Sequence, residues 1–191
     1  MNKLKEMINE RGEVRDGNIL KVDSFLNHQL DAEFLYEMGN EFYRLFKDEG
    51  ITKIVTIEVS GIAIASMAAL FFKVPVVFAK KTDSVNLDKD VYSSKVYSYT
   101  KKKEYNIMVS KRYLNENDKL LIIDDFLAVG NAMKGLIDLA NQSGAKVKGI
   151  GIVIEKGFQQ GGEFLRSEGY NLKSLAIVDE MKNGNIIFRE N

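Results

Sequence analysis

The chain has 191 residues, and 27 basic residues balance 27 acidic ones, so its formal net charge is zero. With 45% hydrophobic and 28% charged residues it reads as an ordinary globular protein, and the neutral balance argues against a nucleic-acid binder driven by phosphate neutralisation. The absence of cysteine excludes disulfides, thiolate metal sites and a thiol nucleophile, and the single histidine, His28, excludes a multi-histidine metal centre.

Residues 1–10 alternate charge with Leu4, Met7 and Ile8 at helical spacing. They predict a short amphipathic helix and lack the apolar core of an export signal. Gly12 and Gly17 mark a turn region, and residues 19–22 read as a short strand. Asp31 is placed as the N-cap of a long helix whose apolar face carries Phe34, Leu35, Met38, Phe42, Leu45 and Phe46, and Gly50 stops it. A β-branched strand follows at 53–57, then a turn over 58–61. The helix 62–72 is apolar nearly all round and so is expected to be buried, and a strand at 74–79 completes a β-α-β unit. Lys73 and Pro75 interrupt the most apolar stretch, which therefore does not read as a membrane span. A cytoplasmic chain without membrane association is expected.

The middle of the chain is polar and predicts an antiparallel hairpin, with strands at 91–100 and 106–110 and a charged tip at 101–104. Residues 120–123 form the clearest buried strand, and 124–130 read as a loop. A helix at 132–141 ended by Gly144 and a strand at 147–154 give a second β-α-β unit. Gly161 and Gly162 break the chain before a short helix at 163–168. A last core strand at 174–178, a turn at 182–185 and an edge strand at 186–188 follow. The whole is an α/β fold with a mostly parallel central sheet flanked by helices.

The segment Leu120 to Ala132, LLIIDDFLAVGNA, carries the chemistry. In open α/β sheets, ligands lie beyond the carboxyl ends of the strands. Here such an end presents Asp124 and Asp125, then a small Gly-containing turn, then a helix start. The turn's N–H groups and the helix dipole suit a monoester phosphate. The two carboxylates would repel that phosphate and so face something else, either vicinal hydroxyls or a Mg²⁺ ion through water. A ribose 5-phosphate satisfies both ends. The plainer reading is a strand terminus with a cap.

This segment resembles the phosphoribosyl diphosphate motif of the type I phosphoribosyltransferases. KVDSFLNHQ at 21–29, TKIVTIE at 52–58, SGIA at 60–63, VPVVFA at 74–79, VYS at 96–98 and GIGIVIEK at 149–156 extend the resemblance to the bacterial xanthine phosphoribosyltransferases over nearly the whole chain. The resemblance implies a single domain over 1–191, with a flexible hairpin and a small base-binding hood built from about 1–30 and 156–191. It implies transfer of 5-phosphoribose from phosphoribosyl diphosphate to N9 of xanthine in purine salvage, by a homodimer. Mg²⁺ would arrive held mainly by the substrate, with no metal site of the protein's own. Val129 and Ala132 stand where many relatives carry Ser or Thr, Val59 where close relatives carry Ser, and Ile64 replaces a proline. Backbone N–H groups would then carry the phosphate.

On this reading Ala128, Val129, Gly130, Asn131 and Ala132 hold the 5-phosphate, and Asp124 and Asp125 are catalytic, facing the ribose hydroxyls and the sugar's developing positive charge. Ser60 and Gly61, in the turn before a helix, offer N–H groups to the diphosphate, and Lys80 and Lys81 offer point charges. Without the resemblance these are an ordinary strand–helix turn and a solvated basic pair. The hairpin, with Ser98, Tyr99, Thr100 and the lysines 101–103, is either a lid that excludes water or a surface hairpin. Lys156 and Asn27 have the donor and acceptor chemistry to read a purine dione, and Leu20 contributes a backbone and apolar contact as the family pattern implies. His28 is read as a packed, hydrogen-bonded side chain rather than a base. Two alternatives stay open: a phosphoribosyl-diphosphate-binding regulator without catalysis, and the same transfer to hypoxanthine or guanine.

Overall fold

The computed structural model describes residues 1–15, 19–82, 90–98, 103–182 and 185–190. Its elements run α1 (Asn2–Arg11), β1 (Glu13–Arg15), β2 (Ile19–Lys21), a π-turn (Asp23–Asn27), α2 (Ala32–Phe46), β3 (Lys53–Ile57), α3 (Ser60–Phe72) and β4 (Val76–Thr82). They continue with β5 (Val91–Ser98), β6 (Lys103–Ser110), β7 (Lys119–Leu127), α4 (Asn131–Ser143), β8 (Lys146–Lys156), α5 (Gly161–Ser167), β9 (Leu172–Lys182) and β10 (Asn185–Phe188). Short 3₁₀ turns follow α2 and β6. Gly17, the hairpin-tip residues 99–102 and the turn residues 183–184 lie outside the described residues.

The main sheet has eight strands in the order β10-β9-β8-β7-β3-β4-β6-β5. The five from β9 to β4 are parallel, and antiparallel strands lie at both edges. This is the mostly parallel sheet expected from the two β-α-β units. The β5–β6 hairpin is an extension of the sheet, because Lys80–Thr82 of β4 pair with Met108–Asn106 of β6. A separate two-stranded sheet joins β1 to β2.

The period-two alternation of β7 divides the apolar interior. Leu121 and Ile123 enter the core under α1 and α2, with Leu4, Phe42 and Phe46, while Leu120 and Ile122 enter the core under α4, with Met133 and Leu136. Glycines set how closely α2 lies on the sheet. A Cβ at Gly149 would stand 2.5 Å from the Phe46 ring, and one at Gly151 would stand 2.8 Å from the Phe42 ring. The Asp31 carboxylate caps α2 by accepting from the Phe34 N–H at 3.1 Å, and Gly50 closes the chain reversal after it at φ 65°.

Several boundaries differ from those expected. β7 does not end at Ile123: it runs through both aspartates to Leu127, because β8 continues beside it and pairs Asp124 with Ile152, Phe126 with Ile154 and Leu127 with Glu155. The acid pair is therefore strand, not loop. β4 lies at Val76–Thr82, later than 74–79, and takes up Lys80 and Lys81 because β6 pairs with them. Gly161 and Gly162 open α5 rather than break the chain. α3 buries only Gly61, Ile64, Ala65 and Ala68, and Leu70 is 61% exposed, so a helix apolar all round is covered on one side. No helix among the described residues is long and apolar enough to cross a membrane.

Candidate active site

β8, β7 and β3 are adjacent and parallel, so their carboxyl ends open on one side of the molecule. β7 contributes Asp124 and Asp125. Asp124 is buried, and its carboxylate accepts from the Asp125 N–H at 3.0 Å; the Asp125 carboxylate accepts from the Phe126 N–H at 3.0 Å. Burial pushes the Asp124 carboxyl well above the usual aspartate range, and the neighbouring Asp125 charge adds to this. Asp125 is also pushed up, by burial.

The strand then turns through Ala128 and Val129 to Gly130, which sits at φ 86° as the N-cap of α4. That left-handed conformation is open to glycine and strained for a β-branched residue. The Lys134 N–H bonds to the Gly130 carbonyl at 2.9 Å, starting the helix beneath the loop. Ala128 and Val129 are half-buried, and hydroxyl side chains are absent from the loop. The Asn131 side-chain amide turns away from the loop and donates to the Tyr97 carbonyl of β5 at 2.9 Å, so Asn131 can serve the loop only through its backbone.

β3 delivers a turn of only Glu58 and Val59; Ser60 and Gly61, expected in that turn, are instead the first residues of α3, because the helix starts directly after Val59. Gly61 is buried where a Cβ would overlap the Thr56 hydroxyl and lie 3.2 Å from Asp124 Oδ1. The start of α3 therefore packs directly on Asp124. Glu58 holds the next strand in place by accepting from the Lys81 N–H at 2.6 Å. Strand alternation sends the two lysines of β4 to opposite faces. Lys81 lies over the Tyr105 ring at 5.7 Å, and its charge favours ionisation of Asp124 and Asp125. Lys80 instead lines a cleft of about 670 Å³ with Pro75, Phe78, Met108 and Tyr113. The structure does not bring it to the aspartates.

The residues expected on the base side come from two directions. Asn27 ends the π-turn, and with its amide oriented to satisfy both of its ends it donates to Asp125 Oδ2 at 3.1 Å. This bond joins the N-terminal segment to the acid pair, and neither residue's sequence context announced it. Lys156 ends β8 half-buried, 5.9 Å from the Phe126 ring centroid, and burial pulls its ammonium below the usual lysine range. Leu20 is buried in the core beside Gly12. His28 is exposed rather than packed; its N–H bonds to the Asp23 carbonyl at 3.1 Å. The Glu155 carboxylate, buried one residue before Lys156, is bonded by Arg166 and Ser174, and sequence reading had given it no role.

The phosphoribosyl transferase domain model matches residues 29–178, most of the chain. The chain belongs to the phosphoribosyltransferase family. It is similar to xanthine phosphoribosyltransferase 1 of Clostridium perfringens, 57% identical over 99% of this chain and 100% of that one. It is also similar to the xanthine phosphoribosyltransferase of Lachnoclostridium phytofermentans, 58% identical over 99% of this chain and 98% of that one. Among solved structures, the adenine phosphoribosyltransferase of Trypanosoma brucei shares the fold of this phosphoribosyltransferase, with TM-score 0.77 and 17% identity over 95% of this chain and 82% of that one.

Proposed function

We infer that the chain is a xanthine phosphoribosyltransferase, transferring 5-phosphoribose from phosphoribosyl diphosphate to N9 of xanthine and releasing diphosphate. The observation that carries this reading is the Leu120 to Ala132 segment, folded as strand, acid pair, positive-φ glycine and helix start, in a chain similar over its whole length to enzymes of that name.

The Ala128–Ala132 loop receives the 5-phosphate on backbone N–H groups. Asp124 and Asp125 lie under the ribose. As the bond from C1′ to the diphosphate oxygen breaks, the ring gains positive charge, and carboxylates already fixed in the fold stabilise it without reorganising. N9 of the base bonds to C1′ as that bond breaks, and its proton passes to the departing diphosphate or to water. Ser60, Gly61 and Lys81 meet the diphosphate. Asn27 and Lys156 meet the exocyclic oxygens of xanthine, with Leu20 against its edge. Sugar binding and base binding meet at Asp125, which Asn27 already contacts.

Among the described residues no three acidic or histidine side chains converge into a cation cage. The donor set suits a Mg²⁺ ion already held by diphosphate oxygens, with Asp124 and Asp125 as the groups within reach of its water shell. Bound there, such an ion would supply positive charge against the diphosphate.

The hood proposal is supported by contacts between the two chain ends: the terminal ammonium donates to the Leu175 carbonyl at 2.6 Å, and Lys5 donates to the Arg189 carbonyl at 2.8 Å. A homodimer is supported by apolar side chains left exposed on neighbouring elements: Tyr36 on α2, Val59, Leu70 on α3 and Phe78 on β4.

The test compares turnover of xanthine, guanine, hypoxanthine and adenine with phosphoribosyl diphosphate and Mg²⁺. Xanthine should give the highest kcat/KM. A preference for guanine or hypoxanthine would overturn the base assignment. Binding of phosphoribosyl diphosphate with no turnover of any base would favour a regulator.

A further inference from the structure

We propose that α5 is a brace that fixes the phosphate loop against the strand end carrying Lys156, with Arg166 and Gly161 as its two positioning residues. The proposal rests on the reading of Ala128–Ala132 as the phosphate loop.

One end of the brace is the Glu155 carboxylate. It is 1% exposed and accepts from both Arg166 guanidinium nitrogens, each at 2.7 Å, and from the Ser174 hydroxyl. A Cβ on Gly162 would overlap Glu155 Oε1, so α5 starts flush against this carboxylate. The other end is one residue away. The Gly161 N–H donates to the Ala128 carbonyl at 3.0 Å. A Cβ on Gly161 would overlap that carbonyl and stand 2.9 Å from the Gly130 nitrogen and 3.0 Å from the Val129 carbonyl carbon. A third tie comes from α4, where the Lys134 ammonium lies 4.1 Å from the Phe164 ring centroid. Leu165 anchors the far side of α5 in the core.

Stability alone does not call for this arrangement. Glu155 is buried while Arg166 is partly exposed, and an apolar side chain packed in place of such a carboxylate is often neutral or stabilising. A bidentate fork adds direction, because two parallel bonds fix the guanidinium plane to the carboxylate plane. That plane sets the orientation of α5, and α5 presents the Gly161 backbone to three residues of the loop. The loop's N–H groups are thereby aimed from the same strand, β8, that carries Lys156.

The test reads KM for each substrate separately in four variants whose folding is checked by thermal melting. Gly161→Ala should raise KM for phosphoribosyl diphosphate at least about tenfold while kcat and KM for xanthine stay within about threefold. Arg166→Ala should raise the same KM, and Arg166→Lys, which keeps the charge but not the fork, should restore part of it. Gly130→Val tests the loop itself. If it raises KM for phosphoribosyl diphosphate while folded Gly161→Ala and Arg166→Ala leave it unchanged, the brace is refuted and the loop assignment stands. If Gly130→Val also leaves it unchanged, the loop assignment fails, and the brace with it. Equal rises in both KM values for Arg166→Ala would mark general structural damage and overturn the proposal. Should Gly161→Ala not fold, amide exchange at Val129 and Gly130 decides: faster exchange in Arg166→Ala supports the brace, and unchanged exchange overturns it.

Discussion

Replacing Gly151 by valine probes the contact that holds α2 on the sheet. The added Cβ would lie 2.8 Å from both Cδ1 and Cε1 of Phe42. Carbon atoms in ordinary contact stay about 3.5–4.0 Å apart, so the ring must retreat by roughly 0.7–1.2 Å. Phe42 is fully buried, and the retreat has no solvent-filled space to use. Overpacking of this kind costs about 1–3 kcal/mol. For a chain of this size each kcal/mol lowers Tm by about 2–4 °C, so the melting point should fall by about 2–12 °C. Phe42→Leu removes the ring edge that the new side chain meets. In a double-mutant cycle the pair should therefore be more stable than the sum of the two single losses, by about 0.5–3 kcal/mol. Thermal melting and urea unfolding of the four proteins measure this. An unchanged Tm for Gly151→Val, or strict additivity in the cycle, would refute the close-approach argument.

Two further expectations concern the site. Because burial raises both aspartate pKa values, the native state keeps protons that the unfolded chain has released above the ordinary aspartate value of 3.8. Stability of the unliganded protein therefore falls as pH rises from there to the raised native values. Asp124→Asn should melt higher than the wild type at neutral pH, with the gap closing toward pH 4, and should lose about 10²–10³ in turnover; a gap independent of pH would contradict it. Lys156→Ala should raise KM for xanthine and spare that for phosphoribosyl diphosphate, and steady-state kinetics with each substrate varied in turn would expose an equal effect on both.

The fold was legible wherever periodicity was clean. Phe34, Met38, Phe42 and Phe46 announced α2, Asp31 its cap, and residues 53–57 a strand that the structure reproduces residue for residue. Misreadings came where a tertiary partner overrode local composition. Asp124 and Asp125 looked like the end of an apolar run, yet β8 carries the ladder past them. Gly161 and Gly162 looked like chain breakers; they are glycines because α5 must press against the Ala128 carbonyl and the Glu155 carboxylate. The acid pair and the glycine turn after it were legible as a local string. Pairing across the fold was not: the Asn27–Asp125 bond spans most of a hundred residues, and the divergence of Lys80 from Lys81 follows from a strand that continues past the expected end at residue 79. Asn131 looked like part of the loop, but the hairpin claims its side chain.

The order of β8, β7 and β3 in the sheet has a metric consequence. The lysine, the acid pair and the Ser60–Gly61 helix start follow from neighbouring strands, and neighbouring strands are spaced by their hydrogen bonds at about 4.8 Å. From Lys156 to Ser60 the strand axes are thus two rungs apart, close to 10 Å. Side-chain replacement does not alter that ruler. Mutation and drift can change how firmly each end of a ligand is held, but the span between these strand ends is dictated by backbone geometry.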